Sequence, residues 1–529
     1  MRFTRRQMLF NIAAASGLSF LKSSARAQEV LTPVRSQANH IVWPSKMPSP
    51  IDRAVEQARD VAQSEGYEFS PYGLLVNAST NQLLDVPFRL STAVLRLGHT
   101  DRFRGSLSFR CSDPNAVMPP PYEFSPKDDL YESHLFEITL RREGQQVITI
   151  REEISGNEFS SNVIVASKRE PKYKLYCGDI HIHSQWSFDG RGEPDYNYIY
   201  ARDAMNLDFA CLTEHDPTDN IWERIKAKAR ELYQPGRFAT MSAYEWTAHN
   251  LGEGHKNVYY RDWEGPVLRS NLVPGRAGTT SAADLWAKLR KAGKSGKTAM
   301  TIAPHPAAKA FPVPWDHYDR EFQRCVEIYS TWGNSESSAG PRQIQYMEGS
   351  AQGHFVQDGL AAGQRLGFVG ASDSHSGRPG YPAHSRLYYD SDYVRWEPEL
   401  YTGGITGVYA EELTREAVFD AIRNRRCYAT TGKRIIVDFK ADDHWMGEEY
   451  KSTNAPHISV KVTGTAPLAS VTVVKNNRDY FRVEGRGRHE LEFEYGKTEP
   501  PGETDYYYVR VIQEDYEMAW ASPIWIARP

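Results

Sequence analysis

Apolar positions along the chain fall into two textures. From about residue 67 to 167 they alternate or cluster over short distances, as in Phe88-Arg89-Leu90, Leu107-Ser108-Phe109-Arg110 and Phe136-Glu137-Ile138-Thr139-Leu140. Breaks fall at Ser112-Asp113-Pro114-Asn115, Pro119-Pro120-Pro121 and Glu143-Gly144. Short strands at this spacing predict a β-sandwich-like module. Near Lys174 the pattern changes. Apolar runs ending in polar clusters, at 175–184, 208–216, 239–247, 298–306, 326–331 and 366–375, now alternate with amphipathic stretches at 196–205, 221–232, 282–291 and 355–365. Repeated strand-then-helix order predicts a parallel α/β barrel. After a last helix over 414–425, strand-like runs return from Ile435 onward and predict a small terminal β-sandwich. The expected organisation is thus an N-terminal β-rich module over 28–172, a barrel over 173–433 and a β-sandwich over 434–529.

Composition narrows the class. The 529 residues are 40% hydrophobic and 25% charged with a net charge of −4, which excludes a disordered or multi-span membrane chain and makes nucleic acid an unexpected partner. Residues 1–27 read as an export signal. Thr4-Arg5-Arg6-Gln7-Met8-Leu9 opens an uncharged run to Leu21, and Ala25-Arg26-Ala27 offers a small-residue cleavage site. The paired arginines resemble a twin-arginine signal, so the expected location is periplasmic or secreted; a Sec signal containing Arg-Arg is the plainer alternative. No later stretch is long and apolar enough for a transmembrane helix. The five cysteines (Cys111, Cys177, Cys211, Cys325, Cys427) show no C-x-x-C spacing, and predict buried thiols rather than a disulfide framework.

The ionisable residues gather at predicted strand ends. His181-Ile182-His183 ends the first strand, and side chains at i and i+2 share one face. Ser187-Phe188-Asp189-Gly190 follows. Thr213-Glu214-His215-Asp216 ends the second strand, and Tyr244-Glu245-Trp246 the third, followed by Gly254-His255-Lys256-Asn257. Ala303-Pro304-His305-Pro306 and Ser372-Asp373-Ser374-His375 end two more. Strand ends of a parallel barrel form one rim, so His181, His183, Asp189, His215, Glu245, His255, His305, Asp373 and His375 should meet there. Six imidazoles and three carboxylates are a ligand set for two or three divalent ions, with zinc, manganese or iron the expected identities. Glu214 and Asp216 read equally as acceptors for ligand imidazoles or as surface acids. Trp332 should lie on the same rim, while His249, His354, His384 and Arg386 sit on loops nearby.

This motif set, H-x-H, then E-H-D, then a lone strand-end histidine, then S-D-S-H, resembles the PHP (polymerase and histidinol phosphatase) superfamily of metal-dependent hydrolases. Residues 178–216, 244–259, 367–375 and 404–432 are similar to its DUF3604 branch, which includes hydrolases of carbamate esters such as carbaryl. The resemblance covers about 173–432. It implies a distorted (β/α)7 barrel, flanked here by the N-terminal β-sandwich-like module and a C-terminal Ig-like β-sandwich. It also implies a ligand grouping: His181, His183, Glu245 and Asp373 around a first metal; Glu245 bridging to a second with His255 and His305; Asp189, His215 and His375 around a third. Asp189 stands where many relatives have histidine, and its harder oxygen implies either a weaker third site or a preference there for manganese or iron over zinc.

Such a site implies hydrolysis of a small-molecule ester by a metal-activated water, with Glu245, Asp373 and His375 as the catalytic residues. An aryl or carbamate ester and a phosphoester, the latter making the chain a phosphatase or phosphodiesterase, need the same nucleophile. The lack of an arginine fork in the motifs leans toward the neutral ester. A non-catalytic ligand- or glycan-binding protein outside the cytoplasm is the alternative of another class. No G-x-S-x-G elbow, P-loop or G-x-G-x-x-G follows a strand, which argues against serine-esterase and nucleotide-cofactor chemistry.

Overall fold

The computed structural model describes residues 72–529, apart from 97–104, 129–132, 154–155, 249–251, 271–277, 345–347, 381–384, 391–392, 399–402 and 497. The expected export signal, His249 and His384 lie outside the described residues. The chain divides into two compact units.

The first unit holds the described residues up to Glu170, together with Asp203–Asn206 and the hairpin of Ser385–Asp390 with Tyr393–Pro398. Its strands form small sheets. Tyr72–Ala78, Phe88–Arg96 and Ser133–Ile138 make one, and Ser106–Cys111 pairs with Ile148–Glu152 in another. Alternation explains them: in Ile148–Glu152 every second residue is buried, and Leu74, Leu90, Leu107, Ile138, Ile148 and Ile150 make one apolar core.

The second unit holds Pro171–Arg202, Leu207–Pro382 and Thr402–Pro529. Its elements begin with β1 (Lys174–Ile182), α1 (Pro194–Ile199), β2 (Phe209–Leu212), α2 (Asp219–Leu232), β3 (Ala239–Thr240), β4 (Ser242–Trp246) and β5 (Lys256–Tyr260). There follow α3 (Ala282–Lys291), β6 (Ala299–Ala303), β7 (Gln323–Ser330), β8 (Gly333–Asn334), α4 (Val356–Ala361), β9 (Gly367–Gly370), β10 (Ile405–Ala410), α5 (Arg415–Arg423) and β11 (Cys427–Thr430). The longer helices start where the chain supplies caps. Thr218 Oγ1 accepts from Ile221 N in α2, and Ser281 Oγ accepts from Asp284 N in α3. Each buries one stripe, as with Trp222, Ile225 and Ala229 along α2.

The expected (β/α)7 barrel is not what forms. The described residues are 41% strand and 13% helix, and those of this unit build two large sheets with smaller ones beside them. The first sheet runs β3-β2-β1-β10-β11 and the second β4-β5-β6-β7-β8 with β9 on the far side of β7. Strand-then-helix order fails at particular places. β4 returns directly into β5 as an antiparallel pair, β5 pairs antiparallel with β6, and β10 runs antiparallel to both β1 and β11. Gly252 and Gly254, at φ 66° and 63°, lie in the connection that leads into β5, in a backbone conformation that favours glycine.

The terminal segment departs from expectation too. Rather than a separate Ig-like sandwich, Met518–Ala521, Thr504–Gln513, Leu468–Lys475 and Arg478–Glu484 extend the β11 edge of the first sheet, and Glu449–Lys451 with Ile524–Ala527 bring it to eleven strands. A four-stranded sheet of His444–Trp445, Ile436–Ala441, Ile458–Thr463 and Glu490–Tyr495 completes this part.

What the fold does for the site is bring strand ends together. Ile182 bridges Ser374 and His215 bridges Glu245, both in parallel, so the two sheets meet just beyond β1, β2, β4 and β9. Beneath lies a core of Ile180, Phe209, Cys211, Met241, Tyr259, Met300, Ile302, Cys325 and Val369. Four of the five cysteines are buried and all are free thiols.

Candidate metal centre

All nine strand-end residues come together at this junction. His181 and His183 face the same side of β1, as their i, i+2 spacing requires, and both are fully buried. Their remaining ring protons are committed elsewhere. His181 Nδ1–H donates to Glu327 Oε2 at 2.9 Å. His183 Nδ1–H donates to Ser187 Oγ at 3.1 Å, because the Ser187 hydroxyl is itself spent on Glu214 Oε2 at 2.6 Å. The two Nε2 atoms therefore face each other as lone pairs only 3.2 Å apart. That arrangement calls for a cation between them.

Two carboxylate oxygens close the group. Glu245 Oε2 lies 3.5 Å from His181 Nε2 and 3.3 Å from His183 Nε2; Asp373 Oδ1 lies 3.1 and 3.2 Å from the same atoms. Metal–ligand bonds of about 2.0–2.1 Å set at tetrahedral angles put ligand atoms about 3.3–3.4 Å apart. The 3.2 Å between the two Nε2 atoms and the four nitrogen–oxygen distances all fit such a tetrahedron. Glu245 Oε2 and Asp373 Oδ1 are buried and no well-aligned donor reaches them, although His215 Nδ1 lies 2.9 Å from Glu245 Oε2; that is an expensive condition for two carboxylates unless a cation is their partner.

Around it lie two further groups. Glu245, His255 and His305 bring one ligand atom each within 4.8 Å of one another. His255 Nδ1 is 2.8 Å from Glu245 Oε1, and His305 Nε2 is 3.8 Å from both Glu245 Oε1 and Asp373 Oδ2. Toward solvent, Asp189 Oδ2 stands 3.5 Å from His215 Nε2 and 3.3 Å from His375 Nε2, and His183, His215 and His375 also converge. His375 Nδ1–H is held by the Asp373 carbonyl at 2.9 Å, and His215 Nδ1 by Thr247 Oγ1 at 2.8 Å, which turns Nε2 of each toward Asp189. These buried histidine and glutamate groups can bind a metal ion.

The electrostatics agree. Burial would lower the His181 pKa, but Asp373, Glu327 and Glu245 hold it well above the ordinary histidine range, so a proton occupies the centre when no other cation does. His215, lowered by burial but raised more by Glu245 and Asp189, is pushed up to about 10. His255 is the opposite case: burial takes it down to about 3 despite Glu245, leaving the neutral imidazole a metal requires. Burial works to raise Glu245, yet His215, His255 and His181 keep it well below the usual carboxylate range.

Sequence reasoning missed several residues that hold this site. Glu327, a lone acid in the apolar run of β7, receives His181 Nδ1–H with one oxygen and the His305 backbone N–H, at 3.2 Å, with the other. Asp179, on β1 two residues before His181, accepts from the backbone N–H of Ser372 at 3.0 Å and Gly380 at 2.7 Å, fixing the turn that carries Asp373 and His375. Burial pushes its carboxyl up to about 6. A single acid inside an otherwise apolar strand was the available signal for both. Glu214 is no surface acid: it is fully buried, and the Ser184 and Ser187 hydroxyls donate to it. Asp216 instead secures the Ser270 backbone, whose N–H it accepts at 3.1 Å. His354 donates to the Val313 carbonyl at 2.8 Å.

Aromatic rings surround the histidines. Phe311 stacks on His255 with centroids 4.6 Å apart, Trp332 sits edge-on to His375 at 6.1 Å, and Phe188 stacks on His215 at 5.2 Å while 75% exposed.

Comparison with known proteins locates a family across much of this region. The family model described as "Protein of unknown function (DUF3604)" matches residues 197–330 and 360–471, so a DUF3604 domain is detected over these stretches. Those stretches include His215, Glu245, His255, His305, Asp373 and His375. Uncharacterized proteins of Chlamydia trachomatis and Chlamydia muridarum are each 27% identical over 405 residues, covering 72% of this chain and 61% of theirs. One from Chlamydia pneumoniae is 28% identical over 352 residues, covering 62% and 53%. The match spans less than two thirds of each relative's own length.

Proposed function

We propose that this protein is a metal-dependent hydrolase of a small-molecule ester, working outside the cytoplasm, with two or three divalent ions at the junction of its sheets. The observation that carries the reading is the tetrahedron of His181 Nε2, His183 Nε2, Glu245 Oε2 and Asp373 Oδ1, in which the two Nε2 atoms lie 3.1–3.5 Å from each other and from both oxygens. Zinc, manganese or iron is the expected occupant. The motif resemblance to the PHP superfamily and to carbamate-ester hydrolases supports the choice of reaction.

When bound, such an ion supplies Lewis acidity toward the scissile oxygen and makes water nucleophilic near neutral pH. The chain's own residues do the rest. Glu245 offers one oxygen to each of two ligand groups and so holds them at a common charge. Asp373 and His375 lie side by side, with His375 Nδ1 3.6 Å from Asp373 Oδ1, where they can orient the attacking water and carry its proton to the leaving group. Asp189 and His215 stand at the open side, where the ester would enter.

No arginine stands within the strand-end motifs. Their one lysine, Lys256, is buried and donates to the Glu253 carbonyl at 2.8 Å. An aryl or carbamate ester therefore suits the site better than a phosphoester, which is usually met by an Arg or Lys clamp. The test is elemental analysis of protein folded with Mn, Zn or Fe, followed by assay against nitrophenyl phosphate, phosphodiester, acetate and carbamate. At least two ions per chain and turnover of the acetate or carbamate are expected. Fewer than one ion per chain would overturn the reading.

A further inference from the structure

Strand β7 contributes no ligand atom, yet two residues from it and from the turn just beyond it touch three of the candidate ligands. Glu327 Oε2 receives His181 Nδ1–H, and Glu327 Oε1 receives the His305 backbone N–H. Two residues past the end of β7, the Trp332 indole N–H donates to Asp373 Oδ2. Both side chains are almost wholly buried. We propose that Glu327 and Trp332 are positioning residues that select which atom each ligand offers: Nε2 of His181 and Oδ1, alone, of Asp373. This rests on the cation reading of the site.

The chemistry at each contact is specific. A neutral imidazole has one N–H and one lone pair, so a carboxylate at Nδ1 fixes the tautomer that presents Nε2, and makes that nitrogen a stronger donor. A carboxylate can bind a cation through one oxygen or through both. With the indole N–H on Oδ2, Asp373 is held to one, and Oδ1 is the oxygen that lies 3.1 and 3.2 Å from the two Nε2 atoms and receives no hydrogen bond. The backbone adds to this. Thr331 N–H donates to the Ser372 carbonyl at 3.1 Å, so the turn bearing Trp332 and the turn bearing Asp373 are tied together and the indole is aimed by main chain. Asp373 itself sits at φ 51°, and His305 at φ 32°, conformations a side chain adopts only where neighbours enforce them.

The experiment uses Co2+ as probe, because its visible absorption is intense in a four-coordinate site and weakens as coordination number rises. Wild-type protein, Trp332→Phe, Glu327→Gln and Tyr329→Phe are titrated with Co2+ and then with Zn2+ in competition. Trp332→Phe keeps an aromatic ring but frees Asp373 Oδ2, so the absorption per bound Co2+ should fall severalfold as the carboxylate becomes bidentate. Glu327→Gln should keep the spectrum but weaken Zn2+ affinity by about 10- to 100-fold, the usual effect of removing a partner behind a metal ligand. Tyr329→Phe, on the same strand but hydrogen-bonded to Arg342 instead, should match wild type. Circular dichroism of each metal-free variant separates altered ligation from failure to fold. Wild-type spectra and affinities in both Trp332→Phe and Glu327→Gln would overturn the positioning role and leave the metal reading standing. A wild-type chain that takes up no Co2+ overturns both.

Discussion

Glu245→Gln is the substitution that bears hardest on the proposed chemistry. It keeps size and one acceptor oxygen while removing a formal charge shared by two of the ligand groups. Glu245 Oε2 stands 3.3–3.5 Å from the Nε2 atoms of His181 and His183, and Oε1 stands 2.8 Å from His255 Nδ1. At an effective dielectric of about 20, a unit charge and a dication about 3 Å apart attract by roughly 11 kcal/mol before solvation offsets most of it. Several kcal/mol net should therefore vanish at each of two positions. Metal occupancy should fall to one ion per chain or fewer. Turnover should fall by roughly two or more orders of magnitude, the equivalent of about 2.7 kcal/mol or more of transition-state stabilisation. The control is Glu214→Gln. Glu214 touches no candidate ligand directly; it acts on His183 through the Ser187 hydroxyl. Its variant should cost folding stability, of order 1–3 kcal/mol for a buried acceptor disturbed among its donors, with metal content kept and turnover down by no more than about tenfold. Elemental analysis, kinetics and thermal melts of both variants decide it. Normal metal and turnover in Glu245→Gln, with both lost in Glu214→Gln, would refute the assignment of the bridging group.

Other outcomes follow from the same geometry. The pair His181→Ala and His183→Ala should remove at least one ion per chain along with activity, and unchanged elemental analysis would count against the tetrahedral group. His181, and His215 at about 10, carry protons in the metal-free protein well above pH 6.5. Metal must displace those protons, so Zn2+ affinity should rise with pH, by about tenfold per unit for each proton released; calorimetry in buffers of different ionisation enthalpy counts them, and a pH-independent affinity would contradict the ligand set. Phe188→Ala should raise KM for an aryl ester by roughly 3- to 10-fold through lost stacking while leaving metal content intact, whereas an unchanged KM would remove Phe188 from the substrate site. On the twin-arginine proposal, Arg5→Lys with Arg6→Lys should leave folded precursor in the cytoplasm; undiminished export would favour a Sec route.

The nine strand-end residues were legible because ligand chemistry is local. A pair such as His181 and His183 keeps its shared face in any extended strand, whatever sheet that strand joins. Topology is not local. The run 254–260 shows only its His255 as a chemical signal, since nothing in Lys256-Asn257-Val258-Tyr259-Tyr260 says whether a strand pairs parallel after a helix or turns straight back. The same limit explains the terminal module. Alternation in Thr504–Gln513 identifies a strand, but whether it closes its own sandwich or extends a larger sheet depends on the edge left by β11, some eighty residues earlier. A set of ligands was therefore recoverable even though the expected barrel was not.

The residues that sequence reading passed over share a different property: each acts through backbone geometry or through another side chain. Asp179 is chemically an ordinary strand acid until Ser372 and Gly380 present their N–H groups to it. Asp216, His305 and Asp373 hold φ values of 34°, 32° and 51°, in the left-handed region, at three separate strand ends facing one cluster. Aspartate and histidine enter this region more readily than most side chains, yet the conformation is uncommon and costs of order 1–3 kcal/mol per residue. Strain of that size persists when surrounding contacts over-determine it. Here those contacts are Glu327 on the His305 N–H and Trp332 on the Asp373 carboxylate. The strained residues are ligand candidates or, for Asp216, the neighbour of one, and the contacts enforcing them run through β7 and the turn that follows it. A cation bound by these ligands would return part of that cost on binding, so metal should raise the thermal midpoint of the wild type more than that of Glu327→Gln or Trp332→Phe.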